Sequence, residues 1–262
     1  MIEEGKNMKF IFDLDGTICF KGQPVSKNIL DYLERLQSLG HLVGFASARP
    51  CRDMLPVLDK RFRHNLLIGA NGAMTYYQGE LTYINYIPMK RANEILAILE
   101  EFKASYLIDD QWDYAYNFED SHPFLENIDA LNISKRVTTS DLKYIVKILV
   151  LSCDRFEELS RKLRELKVTI HYHSSEGTLD ITNKGTSKME ALRRFGIGQG
   201  EFTCFGNDMN DISMFKEAHY SVAIGSFPGL TDIAKYCIHI DDNIEKCIIE
   251  ELQKISRPVI ER

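Results

Sequence analysis

Two aspartates one residue apart, Asp13 and Asp15, stand at the end of the apolar run Phe10-Ile11-Phe12 and lead straight into Gly16 and Thr17. Alternate side chains of an extended strand share a side, so both carboxylates reach one small volume. Like charges held that close repel unless a cation neutralises them or one carboxyl takes up a proton. Asp-x-Asp-Gly also serves in ordinary turns, where Asp bonds to its own backbone and Gly supplies positive φ. An EF-hand calcium loop opens the same way but needs glycine at its sixth place and glutamate at its twelfth. Counted from Asp13, this chain has Ile18 and Pro24 there. A strand end that leaves room for water and phosphate suits magnesium, which usually takes only one or two carboxylates.

The elements that must position this pair are read from apolar periodicity. Strand and helix alternate from the start: a strand at 8–12, a helix capped by Ser26 and stopped at Gly40, strands at 42–46 and 66–68, and a short helix through 54–62. Tyr76 to Tyr83 reads as a hairpin and 89–102 as an amphipathic helix. Strand-like runs at 105–108, 114–118, 144–151, 168–173 and 178–181, with a helix at 156–166, suggest an antiparallel α+β unit. Alternation then resumes with helices at 187–195, 212–215, 230–234 and 243–255 and strands at 202–205, 220–224 and 237–240. The expectation is an α/β fold, a Rossmann-like core with a parallel sheet flanked by helices, built from 1–83 and 183–262 and interrupted by an inserted α+β domain at 84–182.

The chain has 262 residues, 38 acidic against 32 basic, with a formal charge of -6 and a pI near 5.7. That balance argues against nucleic acid or an anionic membrane as partner. The apolar stretch from Ile145 to Cys153 is broken by Lys147 and falls far short of a bilayer span, and Met1 to Met8 lacks an apolar signal core. Cys19, Cys51, Cys153, Cys204, Cys237 and Cys247 form no Cys-x-x-Cys pair and read as reduced thiols. A cytoplasmic protein, monomeric or weakly dimeric, is expected.

In an open α/β sheet ligands bind beyond the carboxyl ends of the strands. The polar residues there are Asp13 and Asp15, then Ser47 and Arg49, then Asn71, then Asn207, Asp208, Asn210 and Asp211, with Lys188 in the first turn of a later helix. Each alone is explained by turn or cap chemistry; together they make a site.

In type and order these residues resemble the haloacid dehalogenase superfamily. Asp13-Leu14-Asp15-Gly16-Thr17 matches its first motif, and Phe45-Ala46-Ser47-Ala48-Arg49 resembles the second, usually written with Thr-Gly-Arg. Lys188 stands where the third-motif lysine is placed, and Gly206-Asn207-Asp208-Met209-Asn210-Asp211 resembles the fourth, usually Gly-Asp-x-x-Asn-Asp. The long insertion, with Asn71-Gly72-Ala73 before it, resembles the Cof-like branch with a large α/β cap of the C2B type.

The resemblance implies a phosphatase acting on a small phosphorylated metabolite, a sugar phosphate among the candidates, with magnesium as cofactor and an aspartyl-phosphate intermediate. Asp13 is then the nucleophile and Asp15 the acid and base. Ser47 and backbone N–H groups near Leu14 and Asp15 bind phosphoryl oxygens, and Lys188 balances charge. Ala48, Arg49, Asn71, Gly72 and Asn210 complete the substrate contacts. Metal binding falls to the Asp13 carboxylate, the Asp15 carbonyl and a fourth-motif group. Asn207 holds the position of the usual aspartate and brings an amide oxygen without charge. Asp208 is the alternative, with Asp211 anchoring metal-bound water.

A phosphomutase and a non-catalytic metabolite-binding protein on the same fold are the rival readings. Asp15 argues against a dehalogenase, which does not need it, and the lack of membrane spans argues against an ion-pumping ATPase. Trp112, Asp113, Tyr114 and Tyr116 are read as packing. His171 and His173 share one strand face and are read as structural, lacking a third ligand.

Overall fold

The computed structural model describes residues 7–173 and 177–256. Its first sheet has eight strands in the order β13-β12-β11-β1-β2-β3-β4-β5, numbered along the chain. β1 (Lys9–Phe12), β2 (Leu42–Ala46), β3 (Leu66–Gly69), β11 (Thr203–Gly206), β12 (Tyr220–Ile224) and β13 (Tyr236–Ile238) run parallel. The hairpin of β4 (Met74–Tyr77) and β5 (Glu80–Ile84) continues this sheet, β4 antiparallel to β3 and β5 antiparallel to β4. Its turn residues Gln78 and Gly79 both have positive φ, 55° and 83°, the twist that suits a two-residue hairpin. The chain winds outward from β1 to β5 and later returns on the other side of β1. The carboxyl end of β1 therefore opens at the switch point, where such sheets bind ligands.

α1 (Lys27–Ser38) starts on Ser26, whose hydroxyl accepts the Ile29 N–H, and buries Ile29, Leu30, Leu33 and Leu36 at helical spacing. It packs beside α8 (Ile244–Ser256) on one face of the sheet. α5 (Lys188–Arg194), α6 (Ile212–Phe215) and α7 (Pro228–Thr231) serve the other face. The helix expected through 54–62 is not formed. α2 covers only Cys51–Met54, and a separate 3-10 turn spans Lys60–Phe62. Pro56 has no N–H to carry the ladder on, and Asp59 restarts the chain by accepting the Arg61 N–H.

The second sheet is antiparallel, in the order β7-β6-β8-β10-β9. Its strands are β6 (Ser105–Asp109), β7 (Tyr114–Tyr116), β8 (Lys147–Ser152), β9 (Val168–His173) and β10 (Thr178–Asn183). α3 (Met89–Glu101) and α4 (Phe156–Glu165) cover one face, where Ile108, Ile148, Val150 and Ile181 meet Ile95, Leu99, Leu159 and Leu163. Period-two alternation sends Asp109, Lys147, Thr178, Asp180 and His173 to the opposite face, toward the first sheet.

β7 and β8 are trimmed relative to the runs at 114–118 and 144–151. The stretch between them holds 3-10 turns at Pro123–Asn127 and Thr139–Asp141 and single bridges from Arg136 to Tyr114 and from Ile145 to Ile87. Trp112 is fixed there by donating its indole N–H to the Ile133 carbonyl at 2.8 Å, while Asp113 accepts the Lys135 N–H and the Tyr114 ring stacks on Tyr116. Where the chain passes between the sheets, Asn183 donates its side-chain amide to Asn85 Oδ1 at 2.8 Å, and Asn85 donates to Thr186 Oγ1 at 3.0 Å. Among the described residues no helix is long and apolar enough to cross a membrane.

Candidate active site

Past β1 the Asp13 N–H still bonds to the Phe205 carbonyl at 3.0 Å, and the Leu14 carbonyl then accepts the N–H groups of Thr17, Ile18 and Cys19. That tight loop, with Gly16 at φ 76°, buries the Asp13 carboxylate. Lys188 Nζ donates to Asp13 Oδ1 at 2.7 Å, and Thr17 Oγ1 donates to Asp13 Oδ2 at 2.9 Å. The Thr17 hydroxyl also lies 3.3 Å from Asn207 Oδ1, so an Asp13 oxygen and the Asn207 amide oxygen converge on one point. A Cβ on Gly16 would stand 2.1 Å from Asn207 Nδ2, so a larger residue there would displace the Asn207 side chain. Burial pushes the Asp13 carboxyl up to about 7; Lys188 draws it down and Asp211 pushes it up again. A cation bound beside it would lower it.

Lys188 opens α5, whose start is fixed by the Ser187 hydroxyl accepting the Glu190 N–H. The lysine is wholly buried and donates at 2.7 Å to Asp13 and to Asp211. Burial alone would lower its pKa, but the two carboxylates more than reverse that and hold it charged. Asp211 Oδ2 accepts the backbone N–H groups of Asn207 and Asp208 at 2.9 and 3.3 Å. It is a clamp on the fourth loop, fully buried, and lines neither cavity described below.

Asp15 is engaged elsewhere: Arg49 Nε and Nη2 donate to its two oxygens, both at 2.7 Å. Ser47, extending from β2, has a buried hydroxyl that accepts the Arg49 N–H at 3.1 Å. Asn71 and Gly72, expected among the substrate contacts, line neither cavity. Asn71 is fully buried at φ 57°, donates to Asp180 Oδ2 at 2.8 Å and accepts from Asn210 at 3.0 Å. Gly72, at φ 103°, lies under α5, and a Cβ there would stand 2.2 Å from the Ser187 carbonyl oxygen. Both hold the site together from beneath. Leu14 is likewise a buried core side chain, and only its backbone faces the loop.

A small cavity of about 60 Å³ is walled by Asp13, Asp15, Ser47, Ala48, Asn207, Asp208 and Asn210 from the first sheet and by His173 from the second. It opens beside a larger one of about 380 Å³ between the two sheets. The ligand atoms that its wall residues can offer are almost all oxygens, with Asp13 and Asn207 both in that wall, which fits a hard cation such as magnesium. Among the described residues no group of three His, Cys, Asp or Glu side chains is arranged to hold a metal, so an amide or backbone oxygen has to complete any such set.

The second sheet contributes residues that sequence reasoning missed. Lys147 Nζ donates to the Ala48 carbonyl at 3.0 Å and lies 3.3 Å from Asp180 and 3.7 Å from Asp109. From the first sheet's side Arg52 of α2 donates to both oxygens of its neighbour Asp53 and reaches across to Asp109 and the Trp112 carbonyl. Burial works to raise the Asp180 carboxyl, but Lys147 and His173 outweigh it and hold it far below the usual range. Asp109 is raised by burial despite Arg52 and Lys147. A signal for them existed: Lys147 and Asp180 are charges inside otherwise apolar strands, positions where a charge needs a partner. His171 pairs with Thr182 Oγ1 at 3.0 Å, and burial pushes it down to about 4. His173 instead meets Asp180 Oδ2 at 2.9 Å.

The sequence model of the haloacid dehalogenase-like hydrolases matches residues 10–252. YkrA of Bacillus subtilis, which carries a provisional phosphatase name, is 26% identical over 86% of this chain and 89% of its own length. The 5-amino-6-(5-phospho-D-ribitylamino)uracil phosphatase YitU of the same organism is 23% identical over 85% of this chain and 88% of its own. The solved structure of the subclass IIB sugar phosphatase BT4131 superposes with a TM-score of 0.78 at 21% identity, covering 95% of this chain and 99% of that one. That structural likeness extends to both sheets and speaks for the fold.

Proposed function

The chain belongs to the haloacid dehalogenase-like hydrolase family, and on that footing we propose that it is a magnesium-dependent phosphatase of small phosphorylated metabolites. The observation that carries the reading is the buried Asp13–Lys188–Asp211 chain, with Thr17 joining Asp13 to Asn207. It supplies a carboxylate fixed in direction, a cation beside it and an opening onto a cavity of phosphate size. A bound magnesium would be held by Asp13, the Asp15 carbonyl and Asn207 or Asp208, and would neutralise charge between nucleophile and phosphate.

In this mechanism Asp13 attacks phosphorus in line, breaking the ester bond and forming an aspartyl-phosphate. Lys188 and the Ser47 hydroxyl stabilise the charge that gathers on the phosphoryl oxygens. Asp15 gives a proton to the leaving oxygen and then takes one from the water that hydrolyses the intermediate. It must first give up at least one of its two hydrogen bonds from Arg49. We assign residues 84–182 as the cap, set on a core of 1–83 and 183–262; it excludes water and reads the leaving group.

YitU and BT4131 act, by their names, on a ribityl phosphate and on sugar phosphates. A cavity of about 380 Å³ edged with Asp109, Asp180, Thr178 and Lys147 supports a hydroxyl-rich leaving group here too. The test is phosphate release from a panel of sugar, polyol, nucleoside and cofactor phosphates with and without magnesium. Asp13→Asn should abolish turnover; unchanged hydrolysis in that variant would overturn the mechanism. Tight binding without turnover by the wild-type protein would mark a binding protein, and a transferred rather than released phosphate would mark a mutase.

A further inference from the structure

The two histidines of β9 share a face and are two residues apart, yet their surroundings differ. His171 is packed against Thr182 and lines neither cavity. His173 stands in the wall of both. Among the described residues it is the one member of the second sheet in the wall of the small cavity, where every other wall residue comes from the first sheet's loops. β9 reaches that position because it lies against the fourth-loop turn at Met209–Asp211.

We propose that His173, oriented by Asp180, is a substrate-contacting residue delivered by the cap, touching the substrate where the phosphoryl group meets the leaving group. The inference rests on the phosphatase reading for its substrate, but its geometry stands on the cavity walls. Asp180 is a stiff support: it is 1% exposed, accepts from the Asn71 side-chain amide at 2.8 Å, and has Lys147 at 3.3 Å. Asn71 in turn accepts from Asn210, which walls the small cavity. Lys147 donates to Ala48, shared by both cavities. The imidazole is thus tied through one carboxylate to the two core loops that flank the phosphate pocket. Its contact with substrate exists only while the cap sits as it does here.

Such a residue distinguishes itself from a packing histidine by its effect on substrate binding. With magnesium and the best ester of the panel, His173→Ala should raise KM about tenfold or more, the equivalent of one lost polar contact, with a smaller change in kcat. His173→Gln, which keeps a polar edge, should recover part of that loss, and Asp180→Asn should shift KM in the same direction as His173→Ala. His171→Ala is the control, since it shares the strand face without reaching either cavity, and should stay within about twofold of wild type.

If the wild-type protein turns over no ester, the phosphatase reading has failed, and the contact is read directly. Proton–carbon spectra of the histidine side chains are recorded with orthovanadate and magnesium, the His173 signal being identified by its loss in His173→Gln. It should move while that of His171 does not. Kinetic constants for His173→Ala within about twofold of wild type overturn the proposal; so, where there is no turnover, does a His173 signal that moves no more than that of His171.

Discussion

A lysine with no access to water and a carboxylate on either side is an unusual feature for a fold to carry. Without Lys188, Asp13 and Asp211 would be two buried like charges, a situation that costs about 3–5 kcal/mol when one partner of a buried ionic group is removed. Lys188→Met should lower unfolding free energy in urea by that order and cut phosphate release by about 10²- to 10³-fold, a paired loss that separates it from a purely structural site. Gly72 acts on the same residue through the backbone. Gly72→Ala sets a methyl group 2.2 Å from the Ser187 carbonyl oxygen at a φ of 103°, so the start of α5 must shift and take Lys188 with it. The expected outcome is a reduced melting temperature together with reduced kcat. At this scale the sequence was informative about which residues gather, because Asp13, Ser47, Lys188 and Asn207 each follow a strand or open a helix. It was less informative about direction. Asn71, Gly72 and Asp211 carry the right types at the right places, yet they turn away from the cavities, since burial and side-chain aim depend on neighbours far away in the chain.

Among the elements, the cap sheet shows how one strand serves two masters through its pleat. β8 and β10 send Ile148, Val150 and Ile181 into the cap core and Lys147 and Asp180 toward the active site. Lys147 is the keystone, with Asp109, Asp180 and the Ala48 carbonyl around it. Lys147→Met removes the cation that two buried carboxylates share, leaving Asp109 to Arg52 and Asp180 to His173 and Asn71, and a stability loss of about 3–5 kcal/mol should follow. The double variant with Asp180→Asn should lose clearly less than the sum of the two single losses, because the groups share one network. Urea titration of the four proteins checks this. The strands were readable from alternation, and so was the hairpin turn at Gln78-Gly79. The 3-10 turns between β7 and β8 were not, since nothing periodic marks a stretch held by isolated polar bonds such as that from Trp112 to Ile133.

For the molecule as a whole, acid is the natural stress. His171 has its pKa depressed to about 4 by burial, against about 6.5 in an unfolded chain. A base whose folded pKa is lowered is kept neutral by folding, so its contribution is complete above pH 6.5 and is lost as pH falls from there toward 4. The loss amounts to about 3 kcal/mol at most. Below that window Asp180, also depressed, loses its pairing as it protonates, and the cap should loosen further. Asp13 and Asp109, both raised by burial, work in the opposite direction over the same range, so the His171 contribution is read as the stability difference between wild type and His171→Gln, which should shift against the wild type as pH falls from 6.5 toward 4 in chemical denaturation. The division into two sheets was legible from the change of rhythm near residue 84, whereas the closeness of the two linkers was not. That closeness bears on how the chain acquires its structure. β1 finds its partner β11 only across the entire insertion, and an unfolded loop of about a hundred residues makes such closure entropically costly and slow. A cap that has already folded holds Asn85 and Asn183 within 2.8 Å and so reduces that loop to a short splice. Weakening the cap interior by Leu163→Ala, a change worth about 2–5 kcal/mol, should then slow refolding of the distant parallel sheet in stopped-flow circular dichroism, although it touches no strand of it.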